Sequence, residues 1–251
     1  MTATLEPALA DTWIRRWDAQ QELYVADREE RFAVIGDVVA KAVADTAAPV
    51  VLDLGCGPGS LSGRLARRLP EARIIGVDAD PLLLALAATH YRGAVEFVDA
   101  DLSTSDWIAR VPDRVDAVVS TTALHWLDPD ALAVLYRTLG NLVRPGGVFC
   151  NGDHLPSGEP ELDALTKLVR QGRAERAGVT ENEDWATWWA AIGADRTLAP
   201  LISARSERAI SHHGSNSLSV HEHANLLREA GFAAAGAVWQ SGDDHVLVGI
   251  R

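Results

Sequence analysis

The chain has 251 residues, 47% of them hydrophobic, and a formal net charge of −12 at neutral pH. This length is sufficient for one large α/β domain with an elaboration. The acidic balance argues against a nucleic-acid groove, because a phosphate backbone requires a basic surface. The two cysteines, Cys56 and Cys150, are predicted to be reduced thiols. No amino-terminal signal pattern and no apolar run of bilayer length is visible, so we expect a cytoplasmic protein without a membrane partner.

Two helices are predicted over residues 6–45, ahead of the first strand. Trp13, Trp17 and Tyr24 recur at helical spacing, and Arg28 and Arg31 continue the same stripe. Arginines placed in this way either clamp a substrate carboxylate or lie on a solvated helix face beside acidic neighbours. Both interpretations are open at the level of sequence.

A glycine-rich turn follows the first predicted strand, which covers residues 50–54. Gly55, Gly57 and Gly59 precede a helix that begins near residue 60. Glycines let a ligand approach the main chain, and the start of a helix favours an anion. The spacing G-x-G-x-G differs from the dinucleotide fingerprint G-x-G-x-x-G. A dinucleotide is therefore disfavoured as the ligand of this turn.

Two carboxylates flank the glycine-rich turn. Asp53 comes just before it, and Asp78 ends the second predicted strand, residues 73–77. A carboxylate is unfavourable beside a pyrophosphate but suits an ammonium group. The pattern favours S-adenosylmethionine (SAM), with Asp53 at its ammonium group and Asp78 at its ribose hydroxyls. The alternative is a purely structural turn in which Asp53 caps the loop.

Strand-like and helix-like segments alternate from residue 50 to residue 151. Strands are predicted over 50–54, 73–77, 95–98, 115–120 and 147–151, and helices from 60 and over 81–91, 104–109 and 130–141. Such alternation predicts a parallel sheet with right-handed crossovers. Ligands bind beyond the carboxyl ends of such strands, where Asp53, Asp78, Asp101 and Ser120 fall.

Residues 156–217 interrupt this alternation and are predicted to form a cap insertion between strands five and six. A helix over 160–178 is followed by Trp185, Trp188, Trp189 and Ile192 at helical spacing. Packing between cap and sheet is favoured over a substrate cage for these tryptophans. A polar loop over 211–219 precedes a helix that begins after Ser219. Strands over 232–239 and 244–250 then form a hairpin.

Five motifs in order give the chain its family resemblance. The glycine-rich turn and the second strand supply two of them. The others are residues 97–102, residues 116–120 with the following segment to Leu127, and residues 142–147. With these motifs the chain resembles the class I SAM-dependent methyltransferases. The resemblance implies a doubly wound, Rossmann-like α/β fold, with seven strands of which the last is antiparallel.

The resemblance also implies a set of cofactor-binding positions. They follow the motifs: Asp53, Gly55, Gly57, Gly59, Asp78, Ala79, Asp101, Leu102 and Ser120. The bound cofactor would be SAM and the product S-adenosylhomocysteine (SAH). Residues 24–31 and the run from Leu124 to Leu127 are similar to trans-aconitate methyltransferase-like members, which methylate small carboxylic acids. We therefore expect a small-molecule acceptor that carries a carboxylate or a hydroxyl.

His125 is the first candidate for a catalytic residue. It follows the fourth strand, and imidazole titrates near neutral pH. It either acts as a general base or only shapes the pocket, and a carboxylate acceptor would need no base. His154, after the fifth strand, is the second candidate, although a structural or exposed position is favoured for it. Substrate-binding candidates are Tyr24, Arg28, Arg31 and Trp126.

Four histidines raise the question of a metal site, namely His212, His213, His221 and His223. His221 and His223 are two apart on a predicted helix and so point to different faces. No cysteine or acidic residue completes a familiar zinc spacing, and we expect no metal. Alternatives to methyl transfer are SAM chemistry of another kind, such as cyclisation or elimination, and a non-catalytic SAM-binding regulatory subunit.

Overall fold

The computed structural model describes residues 5–208 and 216–251. Its centre is a seven-stranded sheet with the order β3-β2-β1-β4-β5-β7-β6. The strands are β1 (Val50–Leu54), β2 (Arg73–Asp78), β3 (Glu96–Asp99), β4 (Val115–Thr121), β5 (Val143–His154), β6 (Ala234–Ser241) and β7 (Asp244–Ile250). Strands β1 to β5 are parallel, and β7 pairs antiparallel with both β5 and β6. The predicted Rossmann-like α/β fold with an antiparallel last strand is confirmed.

Nine α-helices lie within the described residues. They are α1 (Pro7–Glu22), α2 (Arg28–Ala42), α3 (Ser60–Arg68), α4 (Pro81–His90), α5 (Pro129–Leu142), α6 (Pro160–Ala177), α7 (Trp185–Gly193), α8 (Ala199–Glu207) and α9 (Val220–Glu229). The two predicted amino-terminal helices correspond to α1 and α2. The segment that was predicted as a short helix near 104–109 is a 3₁₀ helix, Asp106–Arg110.

Both faces of the sheet are covered by helices. One apolar layer includes Leu52, Phe149 and Leu247 of the sheet together with Tyr136 of α5 and Leu227 of α9. The opposite layer joins the sheet to α2 and α3. Strands buried on both faces explain the nearly continuous apolar runs of the sequence.

Strand β5 is longer than its predicted range of 147–151. Val143 already pairs with Val115, and Val148 pairs with Ala117, with an irregular register between them. At its start the extra residues lie around Pro145 and Gly146, whose composition is typical of a turn rather than a strand, and at its end the strand continues to His154. Pairing of Val143 with β4 and the hydrogen bond from the Gly146 N–H to Arg251 O decide the first part, which is why local sequence signals missed it.

A third apolar cluster lies at the carboxyl edge of the sheet. Trp13 and Trp17 of α1, Leu83 of α4, and Trp188 and Ile192 of α7 belong to it. The tryptophan stripe predicted after residue 184 therefore packs against α1 and α4, above the strand ends. Within the described residues, no helix is both long enough and apolar enough to traverse a lipid bilayer.

Candidate functional site

A cavity of about 440 Å³ lies at the carboxyl ends of β1, β2 and β4. Its walls come from the glycine-rich loop, the end of β2, the segment after β4, and helices α1, α2 and α7. Of the predicted site residues, eight line it: Tyr24, Arg28, Gly55, Gly57, Asp78, His125, Trp126 and His154. Residues far apart in sequence thus line one cavity.

The loop after β1 has a shape that requires glycine. Gly55 and Gly57 both have positive φ angles, 66° and 53°, a region that other residues rarely adopt. A Cβ atom on Gly55 would come within 2.4 Å of the Ala123 side chain. The backbone N–H groups of Gly55 and Cys56 donate to Val77 O. The loop is therefore held close to β2, with its main chain facing the cavity.

Asp78 presents a carboxylate that two backbone donors hold in place. Oδ2 accepts the N–H of Gly57 at 2.7 Å, and Oδ1 accepts the N–H of Asp80 at 2.9 Å. Burial raises the pKa of Asp78 to about 6, although these hydrogen bonds favour the charged form. The side chain is therefore a fixed hydrogen-bond acceptor at the cavity wall.

A second cavity, of about 360 Å³, lies beyond the ends of β2 and β3. Ala79, Asp99 and Asp101 line it, together with Arg208, whose guanidinium pairs with Asp99 and donates to Ala79 O. Leu102 packs against the apolar layer below α5. Of the predicted cofactor positions, Ala79 and Asp101 thus lie beside the Asp78 edge rather than in the main cavity.

Three further predicted cofactor residues, Asp53, Gly59 and Ser120, also do not line the main cavity. Asp53 is fully buried, and its Oδ2 accepts the Ser62 hydroxyl at 2.5 Å. Burial raises the pKa of Asp53 to about 7. Ser120 is also buried and donates to Leu54 O, while Gly59 is the N-cap residue that precedes α3. Because side chains alternate along a strand, Asp53 points toward α3 instead of the ligand space.

His125 forms a pair with Asp153, a residue that the sequence analysis missed. The His125 Nδ1 atom lies 3.0 Å from both carboxylate oxygens of Asp153. Burial alone would lower the pKa of His125, but the hydrogen bond and charge of Asp153 raise it. The pKa of Asp153 is lowered: burial opposes this, and the hydrogen bond from His125 outweighs it. The available signal was that His125 follows β4 and Asp153 lies near the end of β5, because β4 and β5 are adjacent parallel strands.

His154 forms a second pair of the same kind. Its Nδ1 lies 3.2 Å from Asp243 Oδ1 in the turn between β6 and β7, and Arg170 of α6 binds the other carboxylate oxygen at 2.9 Å. The Nε2 atom of His154 is buried without a hydrogen-bond partner among the described residues. Two histidines with aspartate partners therefore line one cavity.

The two candidate arginines have different environments. Arg28 lines the cavity and pairs with Asp18 at 3.0 Å; burial lowers its pKa to about 10, against the opposing charge of Asp18. Arg31 is 1% exposed and does not reach the cavity. It donates to Asp244, to Thr121 and to Gly152 O, and so connects α2 to three strands. Of the two arginines considered for a clamp, Arg28 lines the cavity, and Arg31 forms a structural ion pair instead.

The aromatic candidates form part of the cavity wall. The Tyr24 hydroxyl accepts the backbone N–H of Trp185 at 2.9 Å and so ties the end of α1 to α7. Trp126 lies beside His125, with 4.8 Å between the ring centroids. Of the stripe after residue 184, Trp185 and Trp189 line the cavity while Trp188 is completely buried.

No group of three or more His, Cys, Asp or Glu side chains is placed to hold a metal ion in the described part of the chain. His212 and His213 lie outside the described residues. His223 is buried, and its Nδ1 forms a 2.7 Å hydrogen bond with the Tyr136 hydroxyl. Burial lowers the pKa of His223 to about 4.

Comparison with known proteins gives consistent matches. A family model described as a methyltransferase domain matches residues 51–147. Trans-aconitate 2-methyltransferase of Azoarcus sp. is 35% identical over 188 residues, which cover 75% of this chain and 64% of that protein. The enzyme of the same name from Methylobacterium nodulans is 33% identical over 68% of this chain and 67% of its own length. The matched region thus spans about two thirds of these relatives.

An uncharacterised methyltransferase of Mycobacterium tuberculosis is 38% identical over 56% of this chain and 68% of its own length. Among solved structures, human N-acetylserotonin methyltransferase in complex with SAM superposes with a TM-score of 0.55. The match has 16% identity and covers 94% of this chain and 56% of that chain, which supports a shared fold. The chain belongs to the class I SAM-dependent methyltransferases.

Proposed function

We propose that the chain binds SAM in the main cavity and transfers its methyl group to a small molecule with a hydroxyl or a carboxylate. The observation that carries the proposal is the placement of His125 and its partner Asp153 on the same cavity as the glycine-rich loop and Asp78. One side of the cavity has the features of a nucleoside site, and the other side has the His125–Asp153 pair, which supports the proposal of a base.

The residues present fit the proposed cofactor. Asp78 is oriented by two backbone donors and has oxygen lone pairs to accept the hydrogens of a ribose diol. The positive φ angles of Gly55 and Gly57 leave the main chain open to the methionine end. When bound, SAM supplies a methyl group on a positively charged sulfur, which is a good leaving group.

In this proposal His125 is the residue that accepts a proton from the acceptor. Because its Nδ1–H donates to Asp153, the lone pair of neutral His125 is on Nε2. That atom accepts the proton of a hydroxyl acceptor as the oxygen begins its attack. Asp153 fixes the orientation of the ring and stabilises the imidazolium that forms. His154, held by Asp243, can hydrogen-bond to a second polar group of the acceptor.

The remaining lining residues orient the acceptor and exclude water. Trp126 and Trp185 close the apolar side of the cavity, and we propose that residues 156–217 act as its cap. In-line transfer depends mainly on holding two groups at the correct distance. A carboxylate acceptor is the second candidate, supported by the names of two relatives, and it would need no base.

The test combines binding with turnover. We expect calorimetric titration to give binding of SAM and SAH but not of NAD. We expect His125→Gln to retain SAH affinity and to lose turnover of a hydroxyl acceptor, and Asp78→Ala to weaken SAM binding at least several-fold. Failure of SAM and SAH to bind would contradict the proposal. Binding of SAM without methyl transfer to any acceptor would favour other SAM chemistry or a regulatory subunit.

A further inference from the structure

A third cavity lies beside the main cavity and shares a wall with it. It has a volume of about 610 Å³, and Trp126, Trp185, Trp189 and Arg205 line both spaces. The rest of its wall is mostly apolar and includes Leu82, Ile192 and Ile202. We call this space the tryptophan compartment.

The aromatic walls of the tryptophan compartment are held in place by other rings. Trp189 packs edge-on against Trp185 and Trp188, with centroid distances of 5.6 and 5.0 Å. Trp185 in turn packs against Trp17 of α1 at 5.3 Å. Because Trp188 is completely buried beneath them, the compartment is supported from the core. A preformed apolar space of this kind gains free energy by covering a flat apolar ligand.

The charges around the two spaces disfavour a ligand with several carboxylates. Among the described residues, the arginines that line them are Arg28 and Arg205. Each is already paired with an aspartate: Arg28 with Asp18 at 3.0 Å and Arg205 with Asp80 at 2.6 Å.

Acidic groups face the same space. The carboxylates of Asp78 and Asp80 line the main cavity, and the chain as a whole carries a formal charge of −12. Binding would remove the carboxylates of a tricarboxylate from water, and the lining arginines are already paired with aspartates. The desolvation free energy of the ligand would therefore not be compensated. The overall field also opposes the approach of an anion.

The position of His125 links the reactive group to the tryptophan compartment. Its ring is 4.8 Å from that of Trp126, which lines both spaces. An acceptor with its hydroxyl at His125 can therefore extend its carbon skeleton past Trp126 into the tryptophan compartment. An aromatic skeleton also lowers the pKa of the hydroxyl to about 10, against which an imidazole base is effective.

We propose that the acceptor is an uncharged phenol whose ring system occupies the tryptophan compartment. The inference rests on the proposed function and specifies its substrate class. In the transfer step, the phenolic proton passes to His125 Nε2 and a bond forms between the phenolic oxygen and the methyl carbon. The bond from that carbon to sulfur breaks, and its electron pair stays on sulfur.

The experiment measures binding of 2-naphthol to the protein saturated with SAH. The variant Ala186→Trp places a bulky side chain at an exposed position of α7 that lines the tryptophan compartment. Thr187→Trp is the matched control, since Thr187 is exposed on the same helix but does not line it. We expect Ala186→Trp to raise the Kd of 2-naphthol at least tenfold without changing that of SAH, and Thr187→Trp to change neither.

Turnover supplies the second readout. We expect 2-naphthol to be methylated with a higher kcat/KM than trans-aconitate. Trp189→Leu, checked for folding by circular dichroism, should raise the KM for 2-naphthol. This variant replaces Ala186→Trp as the test if Ala186→Trp does not fold. Absence of 2-naphthol binding to the SAH complex, equal binding by the Ala186→Trp variant, or a preference for trans-aconitate would each overturn the inference. These outcomes leave the proposed function intact, whereas failure of SAH itself to bind contradicts that function.

Discussion

At the scale of single residues, the site depends on how each histidine is partnered. His125 and Asp153 are 28 positions apart in sequence and meet because β4 and β5 are neighbours. Burial penalises a charged imidazole, and the adjacent carboxylate compensates for that penalty. The pair therefore holds His125 in one orientation while keeping its pKa above the usual value.

Replacing Asp153 separates catalytic positioning from a structural role. If His125 acts as a base it must be neutral, so kcat for a hydroxyl acceptor rises with pH through the raised pKa of His125. Asp153→Asn removes the charge that raises this pKa, and burial then lowers it. We expect the rise in kcat to move to lower pH and the maximum to fall by at least about tenfold.

The pH profile of the Asp153→Asn variant is compared with that of Asp243→Asn, which alters the partner of His154 instead. In the Asp243→Asn variant, kcat should rise over the same pH range as in the wild-type protein. A loss of activity in Asp153→Asn without any shift of the profile would show that Asp153 only supports the fold.

Asp53 gives a prediction about stability. Burial raises its pKa in the folded protein to about 7 from the usual value of 3.8. The folded state therefore keeps the proton over a range in which the unfolded chain has lost it, and stability falls as pH rises from about 4 to about 7. We expect the free energy of unfolding of Asp53→Asn, relative to that of wild type, to be higher at pH 8 than at pH 4 by on the order of 1–4 kcal/mol.

Urea unfolding of both proteins at pH 4 and pH 8 provides the measurement. Asp116→Asn is a comparison at a carboxylate that binds Arg144 and the backbone N–H of Val50. A constant difference between Asp53→Asn and wild type at both pH values would mean that Asp53 ionises normally in the fold.

At the scale of elements, helix α8 is attached to the edge of the sheet where the Asp78 carboxylate lies. Arg205 at its end binds Asp80, the residue that caps α4, and Arg208 follows the helix and binds Asp99 at the end of β3. The Arg205 guanidinium also lies 4.0 Å above the Trp189 ring. The Arg208–Asp99 pair is exposed and therefore weak, whereas Asp80 in the Arg205 pair is buried.

Weakening the attachment should loosen α8. In the Arg208→Gln variant we expect amide hydrogen exchange over residues 199–207 to become several-fold faster, because the ion pair with Asp99 is lost. High salt should have the same effect on the wild-type protein, since it screens an exposed pair. Arg196→Gln, at an exposed position before α8, is the control. Equal exchange in both variants would show that apolar packing alone holds the helix.

At the scale of the whole molecule, the formal charge of −12 acts on any charged ligand. SAM carries one net positive charge at neutral pH and SAH carries none. A negative protein therefore attracts SAM more strongly, and added salt screens that attraction. The same field supports the choice of an uncharged acceptor over a polyanion.

The salt dependence of binding tests this effect directly. We expect the affinity for SAM to fall several-fold between about 20 and 300 mM salt, while the affinity for SAH changes less. Calorimetric titrations of both nucleosides under the two conditions give the comparison. Equal salt dependence for SAM and SAH would mean that local contacts, and not the overall field, control the difference.

Local sequence signals were sufficient to predict the order of the elements and the edge of the cavity that the glycine-rich loop and Asp78 form. Apolar runs and helical periodicity depend on neighbouring residues, so most strands and helices could be predicted within a few positions. The glycines at 55 and 57 and the acid at 78 are also local signals, because the backbone conformation and the strand end that they mark are defined within a few residues.

Which side chains meet at the cavity depends on how distant elements pack together. The contact between Asp153 and His125 depends on strand pairing. The same is true of the ion pair between Arg31 and Asp244, which lie 213 positions apart. The tryptophan compartment arises where α7 and α8 fold back over α4. Spacing along the chain carries no information about such distant contacts, because they depend on the packing of complete elements.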